Sequence, residues 1–377
     1  MTNINNWTTK RKIETLQMNV SYILNKLDSI TNAISNVQTV GINFRRLMDV
    51  LKDKGDILDE LDENDELTVS GDNKLKFAIS NVDLTASLVG TSETFTETEL
   101  TLPKYVYKNG SLYMVTSISN GAFKGNATLQ TVTLPPCLLK IGDSCFERCI
   151  SLTTVNIPET VTSIGKRLFY ECSVLTTIQK LPNAITTIPD ECYAGCGGII
   201  AVTFPENITG IGNGSFMHSG LTGKLTLSPN IKTLGDNAFK GTKITELDFG
   251  IDSRLTSIGA SCFESCTELS GRLFIPDATV RIGNAAFAKC SGITEMQIPN
   301  SLQFIEENAF EGFNNSIIVN CEDGPEHITR IFYTKQMIDA SGLPNEKTVV
   351  VKYLTVMNKL NVESVYGSVR TLTLVSS

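Results

Sequence analysis

Cysteine is the residue type in this chain that is best suited, by its number and spacing, to a chemical role. Ten cysteines are present, and three pairs share one spacing: Cys145/Cys149, Cys192/Cys196 and Cys262/Cys266. Paired cysteines at a short spacing can form disulfides or supply thiolate ligands to zinc. Only two histidines, His218 and His327, could complete a mixed Cys/His set. A zinc centre therefore has little support from the sequence.

A longer periodicity explains the cysteine spacing better than metal binding does. The first cysteine of each pair stands one residue before an aromatic and the second stands three residues after it, where Cys172 and Cys290 also occur singly. Each position accepts a small, apolar residue that is often buried. We therefore predict free thiols, as expected for folding in a reducing compartment.

Two other stretches carry groups that bind ions in other proteins. Oxygens of Asp62, Asn64 and Glu66 in the acidic run 59–66 could hold calcium, but the glycine and distal glutamate of an EF-hand loop are missing. A solvated linker is the commoner meaning of such a run. Residues 209–214 faintly resemble a phosphate-binding glycine loop, yet no strand–helix unit of Rossmann length follows. We predict no catalytic residues, no metal, no cofactor and no enzymatic activity.

These candidate residues belong to a repeat that organises the chain from before residue 120 to beyond 310. An aromatic recurs every 23 or 24 residues, at Phe123, Phe146, Phe169, Tyr193, Phe216, Phe239, Phe263, Phe287 and Phe310. An aliphatic stands five residues before each of them, at Ile118, Ile141, Ile164, Ile188, Ile211, Leu234, Ile258, Ile282 and Ile305. This period is typical of a solenoid, and the aromatics are predicted to form its repeat core.

Glycine and proline mark the turns of the repeat. Glycine follows the aliphatic in six of the nine copies, which suits a turn with positive φ or a close approach of two backbones. Proline closes most of the short alternating segments, as at Pro158 and Pro299. The pattern predicts one short strand in each repeat, and stacking of the repeats into a continuous core.

At this point the residues resemble a known family. The pattern I-G-x-x-x-F-x-x-C-x-x-L-x-x-V-x-I-P is carried by Ile141, Gly142, Phe146, Cys149, Leu152, Val155, Ile157 and Pro158. It resembles the BspA-like (Treponema pallidum-type) leucine-rich repeat over about residues 103–313. The resemblance implies a leucine-rich-repeat solenoid in a protein of surface adhesion without catalysis. The pattern is broken where Gly250-Ile251 replaces the proline, and the strand motif is lost from Asn315 onwards.

The composition of the chain argues against nucleic acids and membranes as its binding partners. The chain has 377 residues, a net charge of −8 and a pI of about 5.0, and its lysines and arginines are dispersed. We therefore predict no nucleic-acid binding. No apolar run has the length of a membrane span, and the N-terminus shows no apolar signal-peptide core, so we predict neither membrane insertion nor a secretory signal.

The N-terminal region has the spacing of a coiled coil. Apolar residues alternate at steps of three and four, at Ile13, Leu16, Val20, Ile23, Leu27, Ile30, Ile34 and Val37. β-Branched residues at most core positions favour three strands, so we predict a homo-oligomer, with a trimer preferred to a dimer. The alternative is an amphipathic helix packed on its own domain, which the almost wholly polar opposite face disfavours.

The remaining segments are predicted to cap the solenoid. Residues 67–116 alternate like strands, with a type I′ hairpin signal at Lys108–Ser111. After Phe310, residues 326–341 have helical spacing and residues 348–356 and 369–375 alternate like strands. This module either caps the last repeat or forms a binding tip.

We predict an α+β fold in four parts. Residues 1–58 form a coiled-coil stalk, 59–116 an acidic linker and β cap, 117–314 a solenoid of about nine repeats, and 315–377 an α+β C-terminal cap or tip.

A repeat head on an oligomeric stalk has the layout of a fibre. We predict a structural protein of a bacteriophage virion, a head or tail fibre. Its N-terminus would bind other virion proteins, and its repeats would bind a host-surface protein or glycan. The alternatives are a cell-surface adhesin of bacterial or protist origin and an intracellular scaffold.

Overall fold

The computed structural model describes residues 58–70, 72–109, 111–176, 181–299, 301–313, 318–321, 349–353 and 372–376. All regular elements within these ranges are β-strands. Residues 1–57 of the predicted stalk, including its eight core residues from Ile13 to Val37, and the predicted helix at 326–341 lie outside them. Within the same ranges, no helix has the length and apolar character needed to cross a membrane.

A mixed sheet covers the N-terminal end of the solenoid. Its strands are β1 (Leu58–Glu60), β2 (Glu66–Ser70), β3 (Asn73–Ser80), β4 (Thr85–Thr91), β6 (Tyr105–Lys108) and β7 (Ser111–Ile118), while β5 (Glu99–Thr101) belongs to the solenoid. They lie in the order β1-β6-β7-β4-β3-β2. The hairpin predicted at Lys108–Ser111 is confirmed, because these two residues pair and Asn109 has a φ of 51°.

The acidic run is part of this sheet, so the prediction of a linker is wrong. Strand β1 begins at Leu58 and pairs in parallel with β6, and β2 begins at Glu66. Between the two strands, one carboxylate oxygen of Asp62 accepts hydrogen bonds from the amides of Asn64 and Glu66, at 2.9 Å each. These bonds close a tight turn, and Lys74 binds the second oxygen of Asp62 and a carboxylate oxygen of Glu66 at 3.1 Å each.

The solenoid has two strands in most repeats instead of the one predicted. The first ladder contains β5, β8 (Thr131–Thr133), β10 (Thr154–Asn156), β14 (Thr222–Thr226), β16 (Lys243–Asp248), β18 (Ser270–Phe274), β20 (Gly292–Ile298), β22 (Ile318–Cys321), β23 (Val349–Tyr353) and β24 (Leu372–Ser376). It is divided into the parallel sheets β5-β8-β10, β14-β16 and β18-β20-β22-β23-β24. This ladder corresponds to the strand that alternation predicted.

The second ladder consists of two-residue strands that end at the aliphatic five residues before each aromatic. They are β9 (Lys140–Ile141), β11 (Ser163–Ile164), β12 (Thr187–Ile188), β13 (Gly210–Ile211), β15 (Thr233–Leu234), β17 (Ser257–Ile258), β19 (Arg281–Ile282) and β21 (Phe304–Ile305). Strands β9 and β11 extend from β7 of the N-terminal sheet, and β12 to β21 form a separate parallel sheet. The aliphatic of each repeat therefore lies beside that of the next, for example Ile211 beside Leu234.

The glycine after this aliphatic serves close packing between repeats. A Cβ atom on Gly142 would lie 2.5 Å from the backbone nitrogen of Asn120, and one on Gly165 would lie 2.3 Å from that of Asp143. Neither glycine has a positive φ. Of the two explanations that the sequence left open, close backbone approach is therefore the correct one.

Positive φ occurs instead on both sides of each aromatic. The residues two before and two after it are left-handed in all nine copies: Gly121/Gly125, Ser144/Arg148, Arg167/Glu171, Glu191/Gly195, Gly214/His218, Asn237/Gly241, Ser261/Ser265, Ala285/Lys289 and Asn308/Gly312. Twelve of these eighteen residues are not glycine, although this conformation costs other residues about 1 kcal/mol or more. Hydrogen bonds between equivalent loops compensate for it, as from the amide of Phe146 to the carbonyl of Leu168 at 2.9 Å.

The nine aromatic rings form one buried column. Neighbouring rings lie 5.2–6.0 Å apart between centroids, with interplanar angles of 2–17°. Each such pair adds about 0.5–1.5 kcal/mol beyond the burial of its area. The column joins the repeats into a single hydrophobic core that also includes the N-terminal sheet.

The first ladder continues beyond Phe310, although the sequence motif of its strand is lost from Asn315 onwards. Strand β22 pairs in parallel with β20, β23 with β22, and β24 with β23. The strands predicted within 348–356 and 369–375 are confirmed as β23 and β24. They extend the solenoid ladder instead of forming a separate sheet.

Candidate functional site

The cysteine thiols are used to join neighbouring repeats. The thiol three residues after each aromatic donates a hydrogen bond to the carbonyl oxygen of the aromatic one repeat earlier, at 3.0–3.3 Å, in Cys149, Cys172, Cys196, Cys266 and Cys290. The position before the aromatic holds Cys145, Cys192 and Cys262, which are fully buried. Nine cysteines have described side chains and all nine are free thiols.

Burial keeps these thiols protonated. It raises the pKa of Cys266 to about 11 and that of Cys172 to about 12. A thiolate, which is the nucleophilic and metal-binding form, is therefore disfavoured near neutral pH. The sulfur atoms contribute packing and hydrogen bonds instead of reactivity.

The other candidate groups are also engaged in the fold. His218 lies exposed at one of the left-handed positions, whereas His327 is outside the described residues. Within the described part of the chain, no three His, Cys, Asp or Glu side chains lie close enough together to hold a metal ion. Residues 209–214 are an ordinary repeat turn, with Gly210 in strand β13 and a close backbone approach at Gly212.

Among the described residues, one carboxylate is buried, and cations of neighbouring repeats hold it. Glu147 is 3% exposed, and its oxygens lie 3.1 Å from Arg167 Nε and 3.1 Å from Lys124 Nζ. Hydrogen bonds from Arg167 outweigh the effect of burial and lower the pKa of Glu147 to about 2. Arg167 also binds Glu191 at 2.5 Å and stacks 3.7 Å from the centroid of the Tyr170 ring. This cluster joins the first four repeats.

The outward face of the first ladder is neutral and hydroxyl-rich at its N-terminal end. Residues that alternate with the buried Leu100, Val132 and Val155 point outward. Parallel pairing aligns them in two columns, Glu99-Thr131-Thr154 and Thr101-Thr133-Asn156. Five of these six side chains carry hydroxyl or amide groups, which can both donate and accept hydrogen bonds.

The same face is charged but internally paired further along. Lys224 Nζ lies 2.8 Å from Glu246 and 3.0 Å from Asp248, and Arg272 Nε lies 3.5 Å from Glu295. Each basic residue follows a left-handed glycine at a β-bulge, Gly223 or Gly271. The bulges turn the basic side chains toward the acidic residues of the next repeat, so the charges largely cancel.

Exposed apolar side chains interrupt this polar face around the sixth and seventh repeats. Phe274, at the end of β18, is 44% exposed, and the guanidinium of Arg272 lies 5.9 Å from its ring centroid. In the preceding repeat, five residues separate Phe249 from Leu255, whereas three separate Ile157 from Val161. The longer loop contains Ile251, which is 88% exposed.

The second ladder has its own outward column. From β12 to β21 it consists of Thr187, Gly210, Thr233, Ser257, Arg281 and Phe304 in register. Phe304 is 55% exposed, and Arg281 forms an ion pair with Glu306. This face therefore changes from hydroxyl groups to an aromatic and paired charges toward its C-terminal end.

The sequence analysis identified the residues of the core but not those of the surface. Phe274 and Phe304 lie outside the core periodicity, and we did not single them out. The alternation of Leu273, Phe274 and Ile275 was the available signal, since a residue between two buried neighbours of a strand faces outward.

The repeats match a known protein family. The family model described as "BspA type Leucine rich repeat region" matches residues 94–222, 186–316 and 256–355 in six copies. No curated protein matches the chain.

Several solved leucine-rich-repeat structures are similar. They include the T. pallidum leucine rich repeat protein, with 22% identity over 52% of this chain and 87% of that chain and a TM-score of 0.44. A leucine rich cell surface protein from Faecalibacterium prausnitzii has 19% identity over 82% and 98% of the two chains and a TM-score of 0.40. The pneumococcal vaccine antigen PcpA has 13% identity over 83% and 99% and a TM-score of 0.45. These values are too low to carry any inference about function.

The family model is the decisive comparison. Its matches span more than half of the chain and include every residue of the aromatic column. The two-ladder solenoid and its buried aromatic and thiol columns agree with that assignment. The chain therefore belongs to the BspA-type leucine-rich-repeat family.

Proposed function

We propose that the chain is a non-enzymatic binding protein that presents the outward faces of its ladders to a host-surface protein or glycan. The observation that carries this proposal is that the polar groups inside the molecule and those on its outer faces have different roles. Thiols and the buried carboxylate join repeats inside the molecule, whereas hydroxyl, amide and paired charged groups are arrayed along its outer faces.

An array of this kind suits recognition of an extended ligand. Equivalent residues of neighbouring strands are spaced by about 4.8 Å, so the ladders offer one polar group after another along the solenoid. Solenoids use such extended surfaces for binding. A single repeat contributes little affinity, and several repeats together provide a site.

Oligomerisation would increase the strength of such binding. We propose that residues Ile13 to Val37 form a parallel coiled coil, with three chains preferred. Joining several copies of one surface raises the overall affinity through effective concentration, by about 10²- to 10⁴-fold where the ligands are suitably spaced.

We propose that the protein is displayed on the surface of a bacteriophage virion as a head or tail fibre, attached through residues 1–58 to other virion proteins. The support is the set of nine free thiols among the described residues, eight of them buried, several of which stabilise the fold by hydrogen bonds. Such a set suits folding in a reducing cytosol, where virions assemble. The BspA-type repeat supports equally an adhesin on the surface of a cell, which is the second candidate.

Localisation separates these two settings. Gold-labelled antibody against residues 117–314 should decorate purified virions produced by a lysogenic or infected culture that encodes the chain. Labelling of the envelope of uninfected cells would replace the virion proposal with the cellular adhesin. Labelling confined to the cytoplasm would contradict both and favour an intracellular scaffold.

A further inference from the structure

We propose that Phe274, Arg272 and Glu295, with Gln297 holding Arg272 in place, form a subsite for a neutral sugar ring, which rests on the proposed function as a surface-binding protein. The four residues lie on the paired strands β18 and β20. Arg272 stands opposite Glu295 and Phe274 opposite Gln297 in the parallel register. The side chains of Phe274, Arg272 and Glu295 therefore belong to one outward patch, whereas that of Gln297 is buried, at 6% exposed.

The aromatic ring provides the apolar part of the subsite. Phe274 is 44% exposed between the buried Leu273 and Ile275, so its ring faces away from the core. The C–H groups on one face of a pyranose pack against an aromatic ring in the same way that other apolar groups do, with a preference for the electron-rich ring face. A single exposed ring matches the size of one sugar residue, whereas a protein partner would require a wider apolar centre.

The polar neighbours provide groups that sugar hydroxyls can satisfy. Arg272 offers only hydrogen-bond donors and Glu295 only acceptors, whereas the buried Gln297 serves to position Arg272. Arg272 already donates to the side-chain oxygen of Gln297 and lies 3.5 Å from Glu295, so these groups are held in place before a ligand arrives. Their side chains remain partly exposed in Arg272 (51%) and Glu295 (32%), which leaves them accessible.

The charges favour a neutral sugar over an acidic one. Arg272 and Glu295 cancel within the patch, and the preceding repeat presents Glu246 and Asp248 on the same ladder. A sialic or uronic acid would gain no unpaired cation and would meet these carboxylates. The subsite therefore fits hexoses and N-acetylhexosamines.

Phe304 supplies a matched control for this subsite. It is also an exposed phenylalanine, 55% accessible, but it lies two repeats further along and on the second ladder. Replacing either ring by alanine removes the same side chain from the surface. Phe274→Trp retains an aromatic face at the proposed position.

The test measures binding of the full-length chain to an array of defined oligosaccharides ending in neutral hexoses, N-acetylhexosamines, sialic acid or uronic acids. We expect neutral glycans to bind, Phe274→Ala to weaken binding about ten-fold or more, and Phe274→Trp and Phe304→Ala to retain it. Thermal unfolding of each variant establishes that it is folded. Arg272→Gln should also weaken binding.

The other outcomes are distinct. Binding restricted to acidic glycans, or lost in Phe304→Ala and retained in Phe274→Ala, would overturn the subsite. Binding to cells that survives periodate oxidation of their glycans but not protease treatment would replace the sugar with a protein receptor and leave the proposed function standing. A chain that binds neither glycans nor cells would contradict the proposed function itself.

Discussion

At the position three residues after the aromatic, a cysteine sulfur makes a contact that a serine or threonine hydroxyl does not make. A thiol there reaches the carbonyl of the aromatic one repeat earlier, as in Cys172 to Phe146 at 3.0 Å. Thr242 at the same position instead donates to the carbonyl of Phe239 in its own repeat, and the hydroxyl of Ser219 has no hydrogen-bond partner among the described residues. The longer C–S bond and larger sulfur atom explain why cysteine bridges the gap between repeats.

Tyr193 is the residue of the aromatic column whose substitution should make the protein more stable. Its hydroxyl is buried and has no partner among the described residues, which costs about 1–3 kcal/mol. Tyr193→Phe is therefore expected to raise the free energy of unfolding by about 1 kcal/mol, measured by denaturant titration. Phe216→Tyr, which adds a buried hydroxyl in the next repeat, should lower it. Destabilisation by Tyr193→Phe would show that the hydroxyl is satisfied.

Glu147 should make unfolding depend on pH in the acidic range. Arg167 lowers the pKa of Glu147 from 4.5 to about 2, so the folded state favours the ionised carboxylate. The resulting stability is fully present above pH 4.5 and is lost as the pH falls toward 2. Glu147→Gln should lower the free energy of unfolding by about 1–3 kcal/mol at pH 7 and much less at pH 2.5. Equal losses at both values would contradict the assigned ion pairs.

The residues that the sequence could predict are those that repeat. The aromatic column and the aliphatic column follow from their spacing, because each residue contacts its own equivalents in the solenoid. Surface residues such as Phe274 change from copy to copy, so periodicity carries no information about them. Local strand alternation is the signal that remains.

At the scale of elements, glycine determines how closely two repeats can approach. In the six copies where glycine follows the aliphatic, it lets this turn pass within contact of the previous repeat's backbone, as at Gly142 and Gly165. The sequence offered positive φ as an equal explanation, because glycine is favoured in both situations. Only the arrangement of neighbouring repeats distinguishes positive φ from close backbone approach.

Gly165→Ala tests this packing. The added Cβ would lie 2.3 Å from the backbone nitrogen of Asp143, and backbone atoms cannot rotate away, so we expect a loss of about 2 kcal/mol or more in unfolding free energy. Gly223→Ala is the matched control, because it has a φ of 68° and no neighbouring atom within 4 Å. It should cost about 1 kcal/mol from backbone strain alone. Equal effects would contradict the steric role of Gly165.

The second ladder escaped prediction for a related reason. Its strands contain two residues each, so they provide no alternation by which a strand is recognised. The first ladder, with strands of three to seven residues and a closing proline, was recognisable. Strands β23 and β24 were predicted as strands, but their place in this ladder was not, because Val319 and Val351 are 32 residues apart, outside the regular period.

At the scale of the whole molecule, the repeats and the predicted stalk are separable. Residue Leu58 already belongs to the N-terminal sheet, so a chain shortened by residues 1–54 retains every described strand. We expect the full-length chain to sediment as a trimer at micromolar concentration and the shortened chain as a folded monomer. A monomeric full-length chain would contradict the coiled coil at Ile13–Val37, and a trimeric shortened chain would place the interface on the repeats.

Staining of intact cells shows whether the repeats form a multivalent binding surface. Full-length and shortened chains, each fluorescently labelled, would be titrated onto a panel of bacterial strains and epithelial cells by flow cytometry. We predict saturable staining by the full-length chain, competition by unlabelled protein, and an apparent affinity about 10²-fold lower for the shortened monomer. Staining of bacteria would agree with the virion fibre, and staining of epithelial cells with the cellular adhesin. Absence of saturable, competed binding to any cell in the panel would contradict the account.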